Sequence, residues 1–388
     1  MPAAPSSPID PAVGQLLTAA DGLGGNRALL LQVLAAVPDP RARRGVRHRL
    51  AVILTLAVCA VLAGARSFVA IAEWAADADQ ATLDGLGVTG VVPCESTFRR
   101  TLQNLDADAL DDAAGAWAQQ RTAPAPGARR VIAVDGKTLR GSAAAGQPGR
   151  HLLAALDHAC GVVLGQVDVE AKTNEIPMFA TLLDRIDLAG AVITADAMHA
   201  QRAHAEYLAG QHAHYLITVK RNQPGLHAQL AGLPWRQIPA ADIQRDRGHG
   251  RAERRTLKIT TVAAGLAFPH AAQALQIVRR RRPLNSSKWT TETVYAITSL
   301  TVTQASPARL ASILRGHWLI EDQLHWVRDF AYDEDRSQVR VRNGPRVMAS
   351  LRNLAISILR LTGQAGIAAA LRHHARRPYR PLQTIMNC

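Results

Sequence analysis

RRVIAVDGKTLRGS (residues 129–142) sets four consecutive apolar residues, Val131 to Val134, directly before Asp135 and Gly136. An unbroken apolar run bounded in this way suits a strand buried on both faces, at the centre of a sheet. An acid straight after such a strand is costly to dehydrate, so Asp135 needs a compensating partner. Further along, HLLAALDHAC (151–160) and VVLGQVDVE (162–170) read as two strands parted by a turn at Gly161. TNEIPMFATLLDRIDL (173–188) reads as a helix capped by Thr173 or Asn174, with Pro177 in its first turn. GAVITADAMHA (190–200) is another apolar strand ending at Asp196, QRAHAEYLAGQ (201–211) a helix and HYLITVK (214–220) a strand.

Three strands, helix, strand, helix, strand is the order of a ribonuclease H-like mixed sheet with helices on both faces, an α/β fold. Residues from about 222 to 300 turn to β character in RTLKITTVA, ALQIVRR and TETVYAITSL, which predicts a β-rich insertion. A long amphipathic helix begins near Pro307, and VMASLRNLAISILRL (347–361) is helical again. The expected catalytic domain is therefore 129–360, followed by a basic tail, 361–388. On the other side, APAPGA (123–128) is a linker by composition, residues 26–122 read as a helical N-terminal domain, and residues 1–25 as a flexible N-terminus. Within the helical part, LAVILTLAVCAVLAGA (50–65) is uncharged for 16 residues. That is short of the roughly 20 that span a bilayer, so a buried core helix and no membrane association are expected. Ser67 suits the cap of SFVAIAEWA, and Ser96 or Thr97 opens a helix carrying Arg99 and Arg100. The arrangement suggests helix-turn-helix DNA binding, which ordinary helix packing with surface arginines imitates.

The 388 residues carry 45 Lys and Arg against 31 Asp and Glu, a net charge of +14. The excess lies in blocks. Residues 336–388 hold ten Arg and no acid, and 245–282 hold ten Lys or Arg against Asp246 and Glu253. Like charges in a block repel, and Arg grips phosphate at two points, so a polyanion, nucleic acid, is the expected partner. Lys137, Arg140, Lys220 and Arg221 flank the crevice, and Arg247, Arg251 and Arg255 lie in the insertion; all are candidate DNA contacts, alike in sequence to plain surface charge. His249, between two glycines, reads as a turn residue. Four scattered Cys and no signal peptide at MPAAPSSPID point to a reducing, cytoplasmic location, nucleoid-associated through DNA.

Asp135 and Asp196 each follow an apolar strand, and the carboxyl ends of neighbouring strands meet at one crevice. Two carboxylates there repel unless a divalent cation joins them. An oxygen-only site selects Mg2+, with Mn2+ as its substitute. Glu321, in HWLIEDQLHW, is the natural third carboxylate, with Trp318, Leu324 and Val327 as apolar neighbours. His317, Glu321, His325 and Arg328 share its stripe of the helix. Asp322, Asp329, Asp333, Glu334 and Asp335 are rivals for its place, the last three in YDEDRS, which reads as a solvated loop. Each acid also has a bland role: Asp135 in a turn, Asp196 as a helix cap, Glu321 paired with Arg328.

DGKTLRGS (135–142), KTNEIP (172–177), ITADAMHAQ (193–201), YLITVKRNQPGL (215–226), DRGHGRAERR (246–255) and HWLIEDQLHWVRDFAYDEDRS (317–337) together resemble the H-repeat-associated, ISAs-type DDE transposases of bacterial insertion sequences. PDPRARRGVRH, SFVAIAEWA and CESTFRR resemble that family's N-terminal domain. The resemblance implies that Asp135, Asp196 and Glu321 are the catalytic, metal-binding triad. It also sets Leu314, His317 and Arg328 where related enzymes carry Tyr, Arg and Lys, so His317 and Arg328 become candidate DNA contacts. The implied chemistry is metal-dependent phosphodiester hydrolysis at an element end followed by strand transfer, with a homodimer on DNA. A DNA-binding protein without catalysis and a metal-dependent nuclease are the competing readings.

Overall fold

The computed structural model describes residues 30–388 except 45, 89, 145, 171, 172, 249 and 263–265. The flexible N-terminus expected over 1–25 and the turn residue His249 lie outside the described residues. The chain forms two compact units, and neither is one continuous stretch. The first gathers the described residues up to Arg121 with 139–150 and 327–388; the second holds 122–138 and 151–326.

In the first unit the helices α1 (Leu30–Ala35), α2 (Leu50–Leu62), α3 (Phe68–Asp77), α4 (Gln80–Gly85), α5 (Glu95–Asn104) and α6 (Ala107–Arg121) precede the linker. Ser67 caps α3 as expected, its hydroxyl accepting from the Ala70 N–H. Cys94, not Ser96 or Thr97, stands at the N-cap of α5. Twelve of the thirteen residues of α2 are buried. This all-round apolar helix is the unit's core, and no helix among the described residues is long and apolar enough to cross a membrane.

The second unit is built on one nine-stranded sheet: β1 (Val131–Thr138), β2 (His151–Asp157), β3 (Val163–Val169), β4 (Val192–Ala195), β5 (His214–Val219), β6 (Asp242–Gly248), β7 (Arg251–Thr261), β8 (Gln273–Pro283) and β9 (Thr290–Thr298), in the order β3-β2-β1-β4-β5-β9-β8-β7-β6. β1, β4 and β5 run parallel; every other neighbouring pair is antiparallel. Helices α7 (Glu175–Leu183), α8 (Arg202–Gly210) and α9 (Pro224–Ala231) alternate with these strands, and α10 (Pro307–Gly316) follows them. Alternation along each strand gives the sheet two apolar faces. Ile132, Val134, Ile193, Tyr215 and Ile217 face one core with Phe179 and Leu182 of α7, Leu208 of α8 and Leu230 of α9. Val131, Val192 and Leu216 face the other with Leu310 and Ile313 of α10.

The β-rich insertion expected from about residue 222 also contains α9, and its strands continue the central sheet. Its outermost strand, β6, has no counterpart in the sequence reading. The helix expected from Pro307 is interrupted: α10 ends at Gly316, a π-helical turn spans Glu321–His325, and α11 (Trp326–Tyr332) follows.

Residues 327–388 return to the first unit. There α12 (Gly344–Leu361) packs on α2 and α6. The 361–388 stretch is not a tail: α13 (Ile367–Ala375) and α14 (Tyr379–Met386) bury Ile367, Leu371, Leu382 and Ile385. Two buried ion clusters fasten the unit. Arg346 of α12 grips Asp111 of α6 at 2.9 Å, and Ser350 donates to the same carboxylate. Glu334, expected in a solvated loop, is 1% exposed and accepts from Arg328 Nε at 2.9 Å and from Arg352 Nη1 at 2.8 Å.

Candidate active site

The parallel pairing of β1 with β4 ends at Val134 opposite Ala195. Asp135 and Asp196 are the residues immediately beyond that last rung, side by side at the carboxyl ends of neighbouring strands. β1 itself does not end there, because Asp135 through Thr138 keep pairing with β2. Asp196 also caps the 3-10 turn Ala197–His199, accepting from the Met198 N–H at 2.7 Å, so its bland role and its position at the end of β4 coexist.

Asp135 shares the sheet face of Val131 and Ala133, the face covered by α10. The π turn after α10 brings Glu321 and His325 to it. His325 Nδ1 lies 3.0 Å from Glu321 Oε2 and 3.5 Å from Asp135 Oδ2, and ligand atoms of the three residues all lie within 4.8 Å of one another. Burial, then the charges of Glu175, Glu321 and Asp196, push the Asp135 carboxyl up to about 7. Glu321 moves the other way, lowered chiefly by its hydrogen bond with His325. A half-buried acid facing three other carboxylates is a site short of positive charge.

Glu175, at the start of α7, went unassigned in the sequence although KTNEIP contains it. It lies across Gly136 on the opposite sheet face: a Cβ at Gly136 would fall 2.1 Å from the Glu175 carboxylate, so only glycine permits that approach. His151 of β2 and His199 of the turn after β4 hold the carboxylate at 2.7 and 3.2 Å. Burial alone raises its pKa, but the two histidines overcome that and hold it at about 2. His317 is a different histidine from the one expected. Its Nδ1 is 3.2 Å from the Thr194 hydroxyl, and burial drives it down to about 4, so it is a neutral ring and not a cation for phosphate.

A family model described as "Transposase DDE domain" matches residues 126–358, and one described as "DDE_Tnp_1-associated" matches 31–118. The chain belongs to the DDE transposase family. It is 31% identical over 348 residues to "Putative transposase YncI" of Escherichia coli O157:H7, covering 85% of this chain and 87% of that protein. It is 29% identical to "H repeat-associated putative transposase YhhI" of Escherichia coli strain K12, covering 90% of this chain and 94% of the other. A solved piggyBac transposase synaptic complex with hairpin DNA aligns over 92% of this chain and 76% of its own, at 11% identity and a TM-score of 0.39, a likeness too slight to bear on the fold. The resemblance seen in the sequence is thus borne out, and the protein is a DNA-cleaving transposase of a family that uses divalent metal.

The candidate DNA contacts of this transposase separate by environment. Lys220 and Arg221 are exposed and Lys137 is half-buried. Arg140 is exposed and 3.6 Å from Asp335; Arg99 is tied to Glu95 at 2.9 Å, whereas Arg100 lines a hollow of about 810 Å³ with Arg41, Arg44 and Arg47. Arg328 is fully buried on Glu334 and has no surface to offer a phosphate. Glu321 is bonded to His325, at 3.0 Å. Trp318 is 64% exposed, not packed beside Glu321.

In the β extension Arg247 is exposed, but Arg251 and Arg255 share a face with Glu253, which accepts from Arg255 at 2.5 Å and from Arg279 at 2.7 Å. The opposite face is the more cationic. Arg245, Arg254 and Arg280 stand directly across from one another on β6, β7 and β8, and Arg247 and Arg282 share that face two residues away. Among the described residues no acid lies on those rungs. Like charges directly opposite destabilise a sheet, so this face is short of negative charge. Trp289 lies 5.2 Å from Arg280 and 5.3 Å from Arg282. The sequence reading missed this row because cross-strand register is not visible in one chain segment.

Proposed function

We propose that Asp135, Asp196 and Glu321 are the catalytic carboxylates of this transposase, set in a ribonuclease H-like catalytic domain preceded by a helical DNA-recognition domain at 26–122. The observation that carries the reading is the place of the two aspartates, one residue past the last β1–β4 rung, with Glu321 delivered to Asp135 by the π turn. Divalent ions bound there, Mg2+ or Mn2+, supply the charge that activates the attacking oxygen and stabilises the leaving one. Asp135 must surrender its proton for that, and Glu321, already favoured as the carboxylate, stands ready without such a step. Lys220 and Arg221 are free to hold the backbone of the strand being cut. The arginine row of β6, β7 and β8, in place of Arg251 and Arg255, holds the flanking duplex. The substrate is double-stranded DNA of the element end and target, and a homodimer joins two ends in the cytoplasm, at the nucleoid.

The test is cleavage and joining of a short duplex bearing the native element end. Asp135→Ala lowers cleavage by about a thousandfold or more while DNA retention is unchanged. Cleavage that survives the substitution defeats the assignment. Cutting without joining by the wild-type chain makes it a nuclease instead.

A further inference from the structure

His325 is 2% exposed, among the most buried polar residues of the chain, yet its Nδ1 is turned to the two acids at the mouth of the site. A structural histidine such as His374 settles its ring on Ala370 O and the Thr384 hydroxyl. His325 instead presents one nitrogen to Glu321 Oε2 and Asp135 Oδ2 together. Cation–ligand bonds of about 2.0–2.2 Å place the ligand atoms roughly 3 Å apart. The observed 3.0 and 3.5 Å are within a small side-chain adjustment of that. The local backbone supports the same end: a π turn, frequent at functional sites, places residues 321 and 325 to share one point, and Trp326 N–H closes it on Glu321 O.

We propose that His325 is a nitrogen ligand of the divalent cation held by Asp135 and Glu321, and that this makes the site favour Mn2+ over Mg2+. The inference rests on the carboxylate reading above and corrects the oxygen-only donor set expected from sequence. Mg2+ demands hard oxygen donors and near-ideal octahedral geometry, whereas imidazole suits first-row transition ions. Ligation through Nδ1 puts the ring proton on Nε2.

Pulsed electron paramagnetic resonance of Mn2+ added to the full-length protein reads the coordinated atoms directly. A directly bound imidazole gives a nitrogen-14 coupling, replaced by the nitrogen-15 pattern when the chain is made with nitrogen-15 histidine. That coupling is expected in the wild type and absent from His325→Asp, which puts an oxygen at the same place. In competition, the wild type holds Mn2+ over Mg2+ by about tenfold more than His325→Asp does. The wild-type spectrum decides the matter even if the variant fails to fold. Mn2+ bound in an Asp135-dependent way with no nitrogen coupling overturns the role of His325 and leaves the carboxylate site standing. No Asp135-dependent Mn2+ binding overturns both.

Discussion

Glu334 and Asp135 are both acids withdrawn from water, in different units of the chain, and they are treated oppositely. Glu334 receives two arginines, each within 2.8 Å, with Arg328 bonded in turn to Asn353. Asp135 has no arginine partner among the described residues; besides His325 at 3.5 Å its charged neighbours include Glu175, Glu321 and Asp196, and its carboxyl is pushed up to about 7. The first acid is neutralised within the fold and does structural work. The second is left short of positive charge, which suits the cation proposed there.

Glu334→Gln should have the largest effect on stability. It leaves two fully buried guanidinium groups without their counter-charge, a loss of about 3–5 kcal/mol read by denaturant unfolding. A loss under about 1 kcal/mol would break the comparison. Asp135→Asn should do the reverse in metal-free buffer. The ordinary carboxyl value of 3.8 is raised to about 7 in the fold, so the native state binds the proton more tightly. Stability therefore falls as pH rises from about 4 to 7, and the variant escapes that fall. It gains about 1–3 kcal/mol at pH 8 and nothing at pH 4, since the group is partly exposed. Adding Mn2+ at a hundred times its dissociation constant returns about 2.7 kcal/mol to the wild type and not to the variant.

Glu175 sharpens the contrast within the same site. Its pKa is held at about 2 against an ordinary 4.5, so its contribution is present above pH 4.5 and lost as pH falls towards 2. Glu175→Gln costs about 1–2 kcal/mol at pH 7, a penalty that fades in acid unfolding curves. The smallest effect separates the two faces of the β extension. Arg254→Ala lowers the salt slope of DNA binding by about 0.9, the release expected for one phosphate contact. Arg251→Ala, whose guanidinium leans to Glu253, should change it by less than half as much. Equal slopes for the two variants would mean that the faces do not differ in function.

The central strands were legible because a continuous apolar run has one cheap destination, and Asp135 and Asp196 announced themselves by interrupting such runs. The unread elements lack that signal. β6, DIQRDRG, lies at the sheet edge and satisfies no apolar face, so its charges read as loop. Glu334 sits in YDEDRS, where acidity argues for water; its burial depends on Arg352, 18 residues away on another helix. His325 was visible on the stripe with Glu321, but the π turn that aims both at Asp135 leaves no periodic trace. Glu175 stood in a quoted motif, and its two histidines come from β2 and from the turn after β4, which only the sheet order brings together.

The α2 core helix takes much of its cover from α12, whose residues follow it by nearly three hundred positions. During synthesis at about 5–20 residues per second, the segment from Arg121 to Leu361 takes roughly 10 to 50 s to emerge. For that interval the leading helices lack the cover that α12 gives α2 in the finished fold. Maturation of this half of the transposase is thus a late event, timed by translation of its own distal end.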